Sequence, residues 1–151
     1  MSEDLSHLAY PEAPAQVIPS FWVEEVETLR DFYLEKLGFG HMMGIVGKDG
    51  RFDFGIVRRD GIMVMMGRPQ SPGAGIARGQ GGARPLDIYF YVKDVDAFHD
   101  EVRSRGVAVT EALATQWWGD RTFAVKDPYG YSLWFCQTVG APEPPPGVTM
   151  V

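Results

Sequence analysis

Large aromatic side chains and one carboxylate occupy the positions of this chain that could do chemistry. They are Trp22, Tyr89, Tyr91, Trp117, Trp118 and Trp134, together with Met65 and Asp87. Trp and Tyr offer flat apolar surfaces with a polar tip, and Met adapts its shape to the group it contacts. This set is typical of a site for a planar or aromatic small molecule, with a carboxylate that could pair with an amine.

Residues for nucleophilic or metal chemistry form no recognisable pattern. The histidines His7, His41 and His99 share no metal-ligand spacing, and no Ser–His–Asp or Cys–His arrangement can be proposed. We expect His99 to be a solvated residue on the surface of a helix, whereas His41 could face a binding groove. The single cysteine, Cys136, follows apolar residues and is predicted to be a buried small hydrophobe.

Two copies of one unit must position these residues. A constant offset of 69 positions aligns Phe21–Glu27 with Phe90–Asp96 and Gly61 with Gly130, with apolar matched to apolar. Each copy is predicted to run strand–helix–strand–strand–strand, with the helices ending at Gly38 and Gly106. The predicted strands are Val17–Val23, Gly40–Val46, Phe52–Val57, Gly61–Met66, Leu86–Val92, Val107–Thr110, Arg121–Val125 and Tyr131–Gln137.

The two copies predict one compact domain built from modules 15–67 and 86–138. A Gly/Pro-rich segment, 68–85, is interpreted as a flexible linker, with a lid over a ligand site as the alternative. The Pro-rich tail, 139–151, cannot continue a strand or helix through its proline cluster. The first dozen residues are polar and are expected to be mobile or to reach a partner subunit.

The alternation of side chains along the strands separates a helix-facing side from a second side. Trp22, Met65 and Trp134 fall on the second side, as do Asp87, Tyr89 and Tyr91, and the two repeats could curl it into a shared concave groove. Trp117 and Trp118 are adjacent in a loop and cannot both be core, so at least one should close the end of the groove. The alternative is that these residues only pack modules or subunits together.

Composition excludes several function classes. The 151 residues carry 14 Lys and Arg against 20 Asp and Glu, a net charge of −6, which argues against nucleic-acid binding. No apolar run is long enough for a membrane span, and the acidic N-terminus lacks the features of a signal peptide. Because Cys136 is the only cysteine, no internal disulfide can form, and a reducing cytoplasm is the expected compartment.

Three segments carry a resemblance to a known family. They are Val23–Tyr33 with Leu37–Phe39, then Trp118–Phe123, and the turn Asp127–Tyr131. With these segments the chain resembles the vicinal oxygen chelate superfamily, also called the glyoxalase/bleomycin resistance/dioxygenase fold. The resemblance implies an α+β fold class: two tandem βαβββ modules forming cupped mixed β-sheets with the helices outside. It also implies a homodimer.

Enzymes of that superfamily take one metal ligand from the first and the last strand of each module. The resemblance places these four positions at Ile18, Met65, Asp87 and Trp134. Ile and Trp side chains offer no ligand lone pair, a thioether is soft, and a single carboxylate cannot hold a catalytic metal. The resemblance therefore favours the metal-free branch, whose members sequester bleomycin-like or other antibiotics, and we expect no metal and no cofactor.

Three functional hypotheses remain open. The first is a non-enzymatic, cytoplasmic homodimer that binds a hydrophobic or aromatic molecule, neutral or cationic, with no nucleic-acid or membrane partner. The second is a metal-dependent lyase, isomerase or dioxygenase with a shifted ligand set, His41 with Asp87 and Glu111. The third is a protein-interaction module whose aromatic face is the dimer seam. For Asp87 itself, the alternative to a ligand contact is an ion pair with an arginine such as Arg121.

Overall fold

The first repeat folds into a four-stranded mixed sheet with one helix. The computed structural model describes residues 17–69, 75, 77, 78, 80 and 86–151. In the first repeat these form β1 (Ser20–Trp22), α1 (Val26–Asp31), β2 (Gly40–Val46), β3 (Phe52–Arg59) and β4 (Ile62–Gly67). The strand order is β1-β4-β3-β2; β1 is parallel to β4 and the other pairs are antiparallel. The first dozen residues and most of the predicted linker 68–85 lie outside the described residues.

The second repeat has the same topology. Its elements are β5 (Asp87–Tyr91), α2 (Val95–Ser104), β6 (Val109–Thr115), β7 (Asp120–Lys126) and β8 (Ser132–Thr138). The order β5-β8-β7-β6, with β5 parallel to β8, repeats that of the first sheet. The predicted α+β fold of two βαβββ modules with mixed sheets is confirmed.

The chain divides into two compact units that follow the two repeats, except that one turn of the second repeat belongs to the first unit. The first unit holds β1–β4 and α1 together with the turn Asp127–Tyr131, and the second holds β5–β8 and α2. In the first unit the Tyr129 hydroxyl donates to the Glu25 carbonyl (3.0 Å) and accepts from the Glu25 N–H (3.1 Å). The ring of Tyr131 lies 4.9 Å from that of Phe21. This turn is therefore part of the first core, although β7 and β8 flank it in sequence.

Both helices bury the apolar stripe that their spacing predicts, with one modification in the first. After α1 the chain continues as a π-helical turn, Phe32–Lys36, which leaves Phe32 only half-buried while Tyr33 and Leu37 are fully buried. Gly38 then adopts φ = 69°, the left-handed conformation that favours glycine.

In α2, Val95, Phe98 and Val102 are buried, and the carboxylate of the predicted cap Asp94 accepts the Ala97 N–H at 3.0 Å. The prediction that His99 is a solvated surface residue was wrong. Its imidazole packs edge-on against Phe123 with ring centroids 5.0 Å apart, and its side chain is 14% exposed. The position next to Phe98 places His99 at the margin of the apolar stripe, where the helix still faces the sheet.

Two strand ends differ from the prediction by three or more residues, and several others shift by one or two. β1 begins at Ser20 instead of Val17, since Pro19 has no N–H to donate and takes part only through its carbonyl, which accepts from Met65 at 2.9 Å. β6 covers Val109–Thr115 instead of stopping at Thr110, and two register irregularities let it continue beside β7. No helix within the described residues is long and apolar enough to cross a membrane.

Candidate aromatic binding face

Side chains on the side of the second sheet opposite α2 form what we call the aromatic face: Tyr89, Tyr91 and Trp134, with Asp87 at its edge. β5 and β8 run parallel with Tyr89 beside Trp134 and Tyr91 beside Cys136. The alternating residues Ile88 and Phe90 point toward the helix, and Phe90 is buried. The strand register thus places the predicted aromatic residues of this module together on one surface.

Tyr89 and Trp134 form the centre of the aromatic face. Their rings are stacked, with centroids 5.6 Å apart and an angle of 7° between the planes. Tyr89 remains 49% exposed, so part of the stack is open to solvent. Partial burial and the negative charge of Asp87 raise the pKa of the Tyr89 phenol, so the ring is neutral at physiological pH. The Trp134 Nε1–H is buried and makes no hydrogen bond among the described residues.

Tyr91 is held by a buried carboxylate that the sequence analysis did not identify. Its hydroxyl donates to Asp120 Oδ2 at 2.8 Å, and the Thr138 hydroxyl donates to Asp120 Oδ1 at 2.8 Å. The bond to Asp120 is the main reason that the pKa of Tyr91 rises to about 12. The ring stays 57% exposed with its hydroxyl fixed. A signal for Asp120 was present in the sequence. Strand alternation puts Asp120, Thr122 and Ala124 of β7 on the same side of the sheet as the aromatic face.

Small buried residues lie beside the aromatic residues on the neighbouring strands. Thr122, Ala124 and Cys136 are almost fully buried, and Thr122 Oγ1 accepts from Gln116 Nε2 at 3.1 Å. The prediction that Cys136 is a buried hydrophobe is confirmed, and burial raises the pKa of its thiol to about 12. A neutral thiol is a poor nucleophile, so this cysteine offers packing and not catalysis.

Trp117 and Trp118 lie in the turn between β6 and β7. Their rings are perpendicular with centroids 5.7 Å apart, and each residue is 39% exposed. The expectation that they are not both core residues is confirmed. Their role at the end of a groove stays a prediction.

The environment of the Asp87 carboxylate differs from the predicted one. It was expected to point into an apolar groove, but the residue is exposed at the first position of β5. The proposed alternative partner, Arg121, instead pairs with Asp96 on α2 at 3.0 Å and donates to Thr115. The reason is strand alternation, because Arg121 projects from β7 toward the helix and Asp87 projects from β5 the other way. An exposed carboxylate can pair with a ligand cation, at the modest strength of a solvated ion pair.

The two predicted residues of the first module lie in the first unit. Trp22 is 56% exposed, and its ring lies against the backbone of Gly67, where an added Cβ would be 3.0 Å from the indole. Met65 is half-buried on β4 beside Ser20. Met63 shares the strand parity of Met65 but is buried, so parity alone does not decide which side chains of β4 are exposed.

The four positions of the superfamily's metal ligands do not fit a divalent cation. Ile18 and Trp134 have no metal-binding lone pair, Met65 offers a soft thioether, and Asp87 supplies one carboxylate. Across the described part of the chain, no three His, Cys, Asp or Glu side chains come together. Of the shifted set, His41 lies in the first unit and Asp87 and Glu111 lie in the second, so this set stays a prediction.

A separate depression lies between the end of α2 and β6. It has a volume of about 880 Å³ and is open to solvent. Its lining includes His99, Arg103, Val107 and Leu113 and none of the predicted binding residues. Apart from the His99 imidazole, which already packs against Phe123, its lining contains no aromatic ring.

Sequence comparison assigns the family. The profile of the Glyoxalase/Bleomycin resistance protein/Dioxygenase superfamily matches residues 6–135. The chain belongs to this superfamily. An uncharacterized protein from Mycobacterium tuberculosis is 31% identical over 116 residues, which cover 75% of this chain and 68% of that protein.

Solved structures of similar proteins agree with this superfamily fold. One is TnmS3, an antibiotic binding protein from Streptomyces sp. CB03234, with 25% identity and a TM-score of 0.60 over 85% of this chain and 99% of that one. Another is the bleomycin resistance determinant encoded on transposon Tn5, with 24% identity and a TM-score of 0.64. That match covers 82% of this chain and 98% of the determinant, and at this identity it supports the fold alone.

Proposed function

We propose that this superfamily member binds a small hydrophobic or aromatic molecule, neutral or cationic, on its aromatic face, without metal and without changing the molecule chemically. The observation that carries the proposal is the stacked pair Tyr89 and Trp134, in which Tyr89 is half exposed. A partly exposed stack on paired strands is a preformed platform, so a flat ligand adds to it with little reordering of side chains.

The surrounding groups favour a ligand with an aromatic body and a basic tip. Aromatic stacking contributes about 0.5–1.5 kcal/mol per ring pair beyond the area that it buries. The exposed carboxylate of Asp87 adjoins the platform, and the net charge of −6 attracts cations to the surface. The fixed hydroxyl of Tyr91 donates inward to Asp120, so its oxygen remains free to accept a hydrogen bond from a ligand.

Antibiotic sequestration is the biological role that we propose for this binding. The similarity to TnmS3, an antibiotic binding protein, supports a ligand of this class. A sequestering protein needs affinity and no nucleophile, which suits a surface made of rings, one carboxylate and an inert buried thiol. We further propose a homodimer, since β2 is an edge strand whose Ile45 and Val46 are about half exposed, and a partner subunit would cover them. The cytoplasm remains the proposed compartment.

The experiment is a ligand screen that also determines whether the bound compound is chemically modified. Bleomycin, mitomycin C, doxorubicin and a panel of aromatic amphiphiles are added to the protein, and Trp fluorescence and melting temperature are recorded. We expect at least one compound to quench fluorescence saturably, to raise the melting temperature, and to be recovered unchanged by mass spectrometry after denaturation. Recovery of a modified product would instead support the metal-dependent enzyme, and no response to any compound would refute the proposal.

A further inference from the structure

We infer that the C-terminal segment Val139–Glu143, here called the strap, is a positioning element that fixes Trp117 and Trp118 for ligand binding. The inference rests on the proposed function, because those two indoles matter only if the protein binds a ligand. The strap follows β8 directly and lies in the part of the chain that the sequence predicted to be a loose Pro-rich tail.

Three backbone N–H groups connect the strap to the loop 116–119, here called the Trp loop. Val139 and Gly140 both donate to the Gly119 carbonyl, at 2.9 and 3.2 Å, and Glu143 donates to the Trp117 carbonyl at 2.6 Å. Within the loop, the Gln116 N–H donates to the Asp120 carbonyl at 2.7 Å, which closes the turn. The backbone of the Trp loop is thus bonded on one side to itself and on the other to the strap.

The sequence around Glu143 offers few backbone N–H groups that could donate a hydrogen bond to the Trp loop. Residues 142 and 144–146 are prolines, which have no N–H, so Glu143 supplies the one backbone donor between residues 142 and 146. That single donor makes the short bond to Trp117. Proline on either side also restricts the backbone of Glu143, which reduces the conformational entropy lost when the strap docks.

Gly119 provides the complementary shape in the loop. Its φ of 100° lies in the region that favours glycine, and an added Cβ would overlap the carbonyl oxygen of Gly140. The close approach of the two backbones therefore requires glycine at position 119. A tail that did not pack against the loop would impose no such requirement.

The base of the strap is also linked to the aromatic face. Thr138, the last residue of β8, donates to Asp120, and the same carboxylate accepts the Tyr91 hydroxyl. One buried carboxylate therefore connects Tyr91 with the residue from which the strap departs. Through these contacts the strap holds the backbone of the loop that carries Trp117 and Trp118, whose side chains are partly exposed.

The test compares two truncations and two point variants. A chain ending at Thr138 loses the strap, whereas a chain ending at Pro146 keeps all three bonds and serves as its control. Glu143→Pro removes only the donor to Trp117, and Glu143→Ala keeps that N–H while removing the side chain. All are labelled with 5-fluorotryptophan, and the four fluorine resonances are assigned by substituting each Trp in turn.

We expect Glu143→Pro and the Thr138 truncation to shift or broaden the Trp117 and Trp118 resonances and to leave that of Trp22 unchanged. Glu143→Ala and the Pro146 truncation should keep the wild-type spectrum. Doxorubicin, or the compound from the screen that binds best, should bind about five- to tenfold more weakly to the Thr138 truncation, because two side chains must then be ordered on binding.

Each outcome separates the inference from the proposed function. If Trp117 and Trp118 kept their wild-type resonances in Glu143→Pro, the inference that the strap fixes these side chains would be overturned, whether or not a ligand is known. Equal affinity of the wild type and the Thr138 truncation would overturn its role in binding while leaving the proposed function intact. A wild type that binds nothing in the screen would refute the proposed function, and the fluorine spectra would still decide whether the strap orders the loop.

Discussion

The phenol of Tyr89 lies parallel to the indole of Trp134, 5.6 Å between centroids, across neighbouring strands that the chain reaches 45 residues apart. Parallel pairing of β5 with β8 produces this stack, because the register sets the two residues side by side on the same surface. The stack also explains why Tyr89 can be so exposed and still have a defined orientation.

Replacing Trp134 by Ala should weaken ligand binding about tenfold, since the platform beneath Tyr89 is lost together with one stacking surface. Trp134→Phe is the matched control: it keeps one aromatic ring for stacking and removes the pyrrole part of the indole, whose N–H has no partner among the described residues. Calorimetric titration with the best compound from the screen measures both. Equal affinities for the Ala and Phe variants would contradict the stacking argument.

The same substitutions distinguish a ligand site from a subunit seam. Trp22→Ala and Trp134→Ala should leave the oligomeric state unchanged, as measured by size-exclusion chromatography with light scattering. If either variant becomes monomeric, the aromatic surface is an interface between subunits and the protein-interaction hypothesis gains its main support.

Asp87→Asn should lower the affinity for a cationic ligand about two- to fivefold and leave a neutral analogue unaffected, as expected for an exposed ion pair. Doxorubicin and its neutral aglycone form a suitable pair of probes, and Asp87→Glu is the charge-conserving control. The effect on the cation should shrink as salt is raised from 10 to about 500 mM. Equal losses for both probes would mean that Asp87 acts through structure and not through charge.

Asp127 should make the protein less stable as the pH rises. Burial raises the pKa of its carboxyl from 3.8 to about 6, against the opposing effect of hydrogen bonds from the Tyr129 and Tyr131 N–H groups. Because the folded state holds this proton more tightly than the unfolded state, its contribution is most favourable below about pH 4 and is lost as pH rises through about 6. Asp127→Asn removes the titration and keeps an oxygen acceptor.

Relative to Asp127→Asn, the wild type should therefore lose about 2–3 kcal/mol of unfolding free energy between pH 4 and pH 7. Urea denaturation at a series of pH values measures this difference, and other titrating groups cancel between the two proteins. Parallel pH profiles for wild type and variant would show that Asp127 is not buried in the folded protein.

Tyr129→Phe should destabilise the first unit by about 1–3 kcal/mol, because Glu25 loses a bond at both its N–H and its carbonyl. Tyr131→Phe keeps the ring contact with Phe21 and is expected to be within about 0.5 kcal/mol of the wild type. Chemical denaturation of both variants makes the comparison. If Tyr129→Phe left the free energy of unfolding unchanged, the turn would not be anchored to α1 in solution.

Periodicity and the repeat were enough to predict the order of strands and helices because they depend on local rules, whereas the mixed sheets were implied by the family resemblance. Alternation placed Phe90 inside and Tyr89 outside, and glycines with positive φ marked the helix ends at Gly38 and Gly106. The π-helical turn after Asp31 was not predictable, since apolar residues at helical spacing do not reveal one extra residue per turn.

The details of the candidate site depended on packing that a sequence does not display. Met63 and Met65 share strand parity but differ in burial, and His99 was assigned to solvent by residue type although a neighbouring ring covers it. The role of Asp120 required the register of β7 against β8, which brings Thr138 opposite it. For Asp87, alternation gave the correct side of the sheet but not its exposure at the start of the strand.

The most direct test of the central claim is a fluorescence titration of chelator-treated protein. The protein is incubated with excess EDTA, desalted into EDTA-containing buffer, and titrated with the best compound of the screen before and after zinc, nickel or manganese is added in excess of the chelator. A metal-free aromatic platform predicts saturable quenching with the same dissociation constant in every condition. Binding that appears only after a divalent ion is restored would contradict the account, since it would require a ligand set among residues that we find unsuited to hold one.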